Sequence, residues 1–150
     1  MLTIQAVNPT GMYSFGWMPI IKLDKRGCVF LSGWNEDRGC SNGSGKSSIV
    51  NAIKEIAFSQ NDTDKSGANV INKHEDWDNG FFGVLWCVCR NNRQWRIMNV
   101  RKWKGQPPEG VDAPSQVLSL GSKYTGTDIF VEEWDGNQWL DRRPTASKDN

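Results

Sequence analysis

Asn42-Gly43-Ser44-Gly45-Lys46-Ser47-Ser48 decides how this chain is read, because it has the composition of a phosphate-binding P-loop. Gly43 and Gly45 permit backbone conformations that bring amide N–H groups against phosphate oxygens with no Cβ in the way. A helix beginning near Lys46 adds its unpaired N–H groups and the positive end of its dipole. In this reading Lys46 reaches the β- and γ-phosphates and the Ser47 hydroxyl ligates Mg2+. Asn42, Gly43, Ser44, Gly45 and Ser48 complete the nucleotide-binding set. The strict spacing asks for glycine five residues before Gly45, where this chain has Cys40. Gly39 or Gly33 would then make the turn, with residues 36–41 as an enlarged loop. The bland alternative is a serine- and glycine-rich loop capping an ordinary helix.

The flanks give the loop its setting. Before it, Cys28-Val29-Phe30-Leu31 is a short apolar run that reads as a buried strand. After it, Ile49, Ala52, Ile53 and Ile56 recur at helical spacing, predicting a helix from Lys46 to about Phe58 that ends in the polar residues 59–64. Upstream, residues 2–7 alternate as a strand, Asn8-Pro9-Thr10-Gly11 is expected to break it, and residues 20–23 read as a second strand. Downstream, residues 62–79 are polar and charged, and His74, the sole histidine, reads as a solvated loop residue.

A β-meander follows. Residues 81–90 and 94–102 form a hairpin about Asn91-Asn92, residues 105–114 a proline-rich loop, and residues 116–120 and 129–134 further strands. Asp135-Gly136 then turns the chain into residues 138–140. The chain thus divides into a P-loop core (1–61), a polar loop region (62–80), a β-meander subdomain (81–143) and a tail (144–150) of one lobe. The fold class expected is α/β (α+β): a strand–P-loop–helix core with an antiparallel subdomain.

Composition sets bounds. With 150 residues the chain is one ordinary domain, and a net charge of +1 announces no global field for nucleic acid. A local patch remains a route to DNA: Arg93, Arg96, Arg101, Lys102 and Lys104 alternate with Trp95, Ile97 and Trp103. That pattern reads either as a basic–aromatic face or as the solvated side of a sheet. The eight tryptophans read as packing in a β-rich protein. The four cysteines, Cys28, Cys40, Cys87 and Cys89, make no C-x-x-C or Cys/His cluster, which argues against zinc. Cys87 and Cys89 fall on one face of a strand as packed thiols. No long apolar span or secretory signal occurs, so no membrane partner and a cytoplasmic location are expected, the host cytoplasm if the chain is phage-encoded.

The order of these parts resembles a family. An N-terminal strand, Tyr13-Ser14-Phe15, an apolar strand, the loop 42–48 and the helix start Ile49-Val50-Asn51-Ala52-Ile53 look like the N-terminal half of an ABC-type ATPase head of the SMC and SbcC class. These are the ATPases of DNA double-strand-break repair and recombination. The approach Gly33-Trp34-Asn35-Glu36-Asp37 is more like the phage recombination members. The resemblance implies binding of ATP with Mg2+, a C-terminal half of the head in the same or another chain, a second ATPase head as dimer partner, an SbcD-type nuclease, and DNA.

The family's Q-loop, signature motif, acid-bearing strand and coiled coil are not recognisable. Ile129-Phe130-Val131-Glu132 mimics the acid-bearing strand, but has three apolar residues where the family has four, and Glu where it has Asp. The chain is therefore expected to bind ATP, with hydrolysis awaiting the missing motifs, and to be a fragment or a naturally short version of such an ATPase. Its rival is a short non-hydrolysing binding protein that modulates another ATPase head. An unrelated P-loop kinase or GTPase fits less well, because those folds alternate strands and helices after the loop.

Overall fold

β-Rich segments pair into one antiparallel sheet, and among the described residues one amphipathic helix lies on it. The computed structural model describes residues 2–24, 32–34, 39, 45–59, 70–74, 78–104 and 127–143. Among these the elements are β1 (Leu2–Thr10), β2 (Ile21–Lys22), α1 (Lys46–Phe58), β3 (Phe81–Cys89), β4 (Gln94–Arg101), β5 (Thr127–Trp134) and β6 (Trp139–Asp141). The sheet order is β2-β1-β3-β4-β5-β6. Every strand pair within it is antiparallel.

The described chain is thus a mixed α/β protein dominated by an antiparallel sheet. The strand–P-loop–helix core expected from the sequence is not supported by this architecture, since a P-loop core hangs on a parallel sheet and no parallel pair occurs among the described residues. The strands read at 28–31 and 116–120 lie outside the described residues.

One expectation is corrected. Asn8-Pro9-Thr10 does not end the first strand, because β1 continues through Pro9, which stands opposite Gly83 on β3. The tertiary ladder overrides the local turn signal, and β2 runs beside only Ala6 and Val7, leaving this end of β1 at an edge where proline is tolerated. The buried polar groups there satisfy one another. Asn8 Oδ1 accepts from the Thr10 amide at 3.1 Å and from its hydroxyl at 2.7 Å. The Asn8 amide donates to Met18 O at 3.2 Å, and Thr10 Oγ1 accepts from Met18 N at 3.1 Å.

The pleat sends alternate residues to opposite faces. On one face Val7, Phe81, Leu85 and Cys87 bury against Ala52 and Ile56 of α1, with Met12 and Val70 closing the cluster. The helix approaches most closely at Gly83, where an added Cβ would lie 2.4 Å from Ile56 Cγ1 and 2.8 Å from Met12 Sδ. The other face collects Phe82, Val84, Met98, Val100, Trp103 and Phe130. Trp103 is the hub of that cluster, meeting Phe82 edge-on at 4.6 Å between centroids and Trp17 at 5.4 Å.

Candidate functional site

The start of α1 carries the described part of the sequence-predicted loop, Gly45, Lys46, Ser47 and Ser48. α1 begins at Lys46, the position at which the sequence places it, and Gly45 caps it in the left-handed region at φ 81° and ψ 4°. An L side chain is strained there, whereas glycine adopts the conformation freely. The Ser48 amide donates to Gly45 O at 3.0 Å, closing the first turn. No side chain caps this end, and neither an acid in the first turn nor a base in the last complements the dipole. Instead the first turn opens with Lys46, Ser47 and Ser48: a cation and two hydroxyls at the positive end of a helix. That distribution is unfavourable for the helix alone and favourable once an anion sits at its mouth.

Gly45 also has a close neighbour. A Cβ on it would lie 3.1 Å from Ser14 Oγ and 3.6 Å from Phe15 Cε1. The turn after β1 therefore presses its Ser14-Phe15 pair against the residue that launches the helix. That turn is internally bonded, with Met12 N to Pro9 O at 3.1 Å, Phe15 N to Met12 O at 2.9 Å and Gly11 N to Gly16 O at 3.1 Å.

Of the sequence-predicted site, Gly45, Lys46, Ser47 and Ser48 are described and lie together at this mouth, Ser47 exposed and Lys46 half-buried. Asn42, Gly43 and Ser44 lie outside the described residues, as does Cys40. No group of three or more metal-ligating His, Cys, Asp or Glu side chains occurs among the described residues.

Two other sequence readings are resolved by burial. The acid-bearing strand that Ile129-Phe130-Val131-Glu132 mimics is a central antiparallel strand, and Glu132 is 1% exposed on the face away from α1. Its carboxylate is held by Arg96, with Nε to Oε2 at 2.7 Å and the second guanidinium contact at 2.5 Å. The Arg96 guanidinium in turn lies 4.6 Å from the ring centroid of Trp139.

The basic–aromatic strip on β4 is split by the pleat. Arg96 is buried on one face and Trp95 packs on the other, while Trp103 is fully buried. Arg93 is ion-paired with Glu133, whose other oxygen accepts from Arg142 Nε at 3.1 Å. Of the basic residues that the sequence offers to a polyanion, Arg96 is spent inside the protein, while Arg93 and Lys104 are half-exposed and paired with Glu133 and Asp78.

His74 is exposed, and its amide donates to Asn72 Oδ1 at 2.9 Å, as befits a loop residue. Among the described residues no helix is long and apolar enough to cross a membrane. The sequence reading missed Asn72, Gly83 and the Arg96–Glu132 pair. Only the last left a local trace, in charged residues at otherwise apolar strand positions. Compared with known proteins, the chain matches no family model, no curated protein and no solved structure.

Proposed function

We propose that the chain binds Mg-ATP through residues 42–48 as the N-terminal half of an SMC/SbcC-like ATPase head acting in DNA recombination and repair. Asn42, Gly43, Ser44 and Gly45 cradle the phosphates, Lys46 neutralises the β- and γ-phosphates, Ser47 holds Mg2+, and Ser48 adds its hydroxyl at the helix mouth. The observation that carries this reading is the helix entry: a left-handed Gly45 followed at once by Lys46, with no acid in the first turn. Glycine is itself an accepted cap, so the distinguishing feature is the first turn, which opens with Lys46 where a helix arranged for its own stability favours Asp or Glu. The antiparallel strands that follow α1 suit the β-subdomain that the family resemblance implies.

The remaining partners follow from the same proposal. A C-terminal half would supply the acid and the signature residues, and a second head would close over the nucleotide. An SbcD-type nuclease and DNA would be the machinery that nucleotide binding gates. Within the described residues no acid is placed to polarise an attacking water at the mouth of α1, since Glu132 is committed to Arg96 on the opposite face.

Calorimetry with Mg-ATP tests the reading. Wild-type protein is expected to bind, and Lys46→Ala to weaken binding by about a hundredfold, the equivalent of one or two charge-assisted contacts, with its melting temperature unchanged. Equal affinity in the two proteins would remove the assignment.

A further inference from the structure

The turn that touches Gly45 is held from outside by a segment lying far along the chain, residues 70–74. Tyr13, in the middle of the turn, takes φ +55°, a conformation that a non-glycine residue adopts at a cost and keeps only when its surroundings enforce it. Its amide donates to Val70 O at 2.6 Å. Asn72 grips the turn at both ends: its backbone amide donates to Gly11 O at 2.8 Å, and its side-chain Nδ2 donates to Phe15 O at 3.0 Å. The Asn72 side chain is oriented by the His74 amide, which donates to Oδ1 at 2.9 Å and leaves Nδ2 for Phe15. Asn72 is only 8% exposed, so these bonds are sheltered from water.

We propose that Asn72 is a positioning residue for the phosphate loop. Through Gly11 and Phe15 it fixes the turn whose Ser14 hydroxyl and Phe15 ring form the wall against Gly45. That wall sets the left-handed entry to α1 and the direction in which the first-turn amides and Lys46 face. The chain of contacts runs from Asn72 to Phe15 by a hydrogen bond, from Phe15 to the Cβ side of Gly45, and from Gly45 as cap to the helix mouth. Asn72 touches no nucleotide itself. The proposal rests on the nucleotide-binding reading for its consequence, but the geometric link to Gly45 stands apart from it.

A buried asparagine that merely adds stability would lower the melting temperature and do nothing else, so the test reads the loop directly. Asn72→Asp keeps the acceptor for His74 and replaces the donor to Phe15 O with a second acceptor, at almost unchanged size; Asn72→Ala removes both. Both variants, and Met98→Ala as a control that loosens the opposite face, are compared with wild type well below their melting temperatures. Two quantities are measured: the NMR shifts of the Gly45 and Ser48 amides, and Mg-ATP affinity by calorimetry. The expected result is displaced Gly45 and Ser48 amides and about tenfold weaker Mg-ATP in Asn72→Asp, as one lost hydrogen bond gives, with Met98→Ala matching wild type in both.

Unmoved amide shifts in Asn72→Asp overturn the proposal. So do moved shifts with unchanged affinity in a wild type that binds. Should wild type bind no Mg-ATP while the shifts still move, the contact from Asn72 to the helix entry stands and the nucleotide reading falls instead.

Discussion

The two faces of the sheet are built from the same strands and are chemically unlike. Between Phe81 and Cys87, the odd-numbered Phe81, Leu85 and Cys87 pack in the cluster that includes Ala52 and Ile56 of α1, while the even-numbered Phe82, Val84 and Trp86 pack in the layer of Trp103 and Trp17. Register makes the second layer continuous. Lys22, Ala6, Trp86, Arg96, Glu132 and Asp141 stand side by side, one from each strand across the whole sheet. A buried Arg96–Glu132 pair lies inside that row, whereas on the helix face the buried Glu133, opposite Trp95, pairs with Arg93 and Arg142, which are both half-exposed. The difference shows where charge is placed in the fold. On the aromatic face Arg96 and Glu132 are matched to each other, whereas the first turn of α1 carries a lysine and two serines and no acid of its own.

The largest effect expected from breaking this contrast is on the aromatic face. Glu132→Gln strands the Arg96 guanidinium, 8% exposed, without its counter-charge, and is expected to cost about 3–5 kcal/mol in chemical denaturation. The double variant Arg96→Met with Glu132→Leu, which replaces the pair by apolar groups of similar volume, is expected to recover most of that loss. Both proteins should retain wild-type Mg-ATP affinity while folded. Loss of affinity in Glu132→Gln without loss of stability would give Glu132 a role at the nucleotide and erase the distinction between the faces.

A smaller effect sharpens the helix face. Gly83→Ala puts a methyl where Ile56 Cγ1 and Met12 Sδ already sit, at 2.4 and 2.8 Å. Both belong to side chains, so they can yield in part, and the cost is expected at about 1–3 kcal/mol, the usual range for overpacking. Because Ile56 lies on α1 and Met12 in the turn before Ser14, this substitution is also expected to weaken Mg-ATP binding, unlike the changes at residues 96 and 132. Stability loss with intact affinity would mean that the helix can shift on the sheet without carrying its N-terminus along.

These residues also mark how far the sequence can be read. The start of α1 at Lys46 and its end at Phe58 are legible because Ile49, Ala52, Ile53 and Ile56 repeat locally at helical period. The hairpin is legible for the same kind of reason. Asn91-Asn92 supplies the turn, and Asn92 takes φ +60° as asparagine does. At the last hairpin Asp135 is marked by its turn chemistry, and the amides of Asn137 and Gln138 that bond its carboxylate draw its pKa below the usual range.

What stays hidden depends on partners distant in sequence. Pro9 looks like a strand breaker until Gly83 is placed opposite it. Arg96 and Glu132 look like surface charges until the register sets them together. Asn72 sits in a polar stretch whose importance comes wholly from Gly11 and Phe15, far upstream. Of the candidate site, composition alone marks the phosphate loop, while the wall that supports Gly45 is a product of the tertiary fold.

The smallest effect expected concerns pH and distinguishes the faces once more. Cys87 is fully buried on the helix face opposite Ile4. Burial, and then the neighbouring Cys89, push its thiol up from an ordinary value of 9.0 to about 11. The unfolded chain therefore releases this proton about two pH units before the folded one does. Between pH 9.0 and about 11 the native state binds more protons than the unfolded state, so stability must fall as pH rises through that window. Below it the contribution is fully present, and the neutral thiol behaves as a small apolar group. Other groups titrate in the same range, so the informative quantity is a difference: the alkaline slope of unfolding free energy in wild type minus that in Cys87→Ala. A steeper decline in wild type is expected, confined to that window. Parallel curves would mean that the thiolate meets water in the folded protein, and that the helix does not seal this end of its face as tightly as the packing around Cys87 indicates.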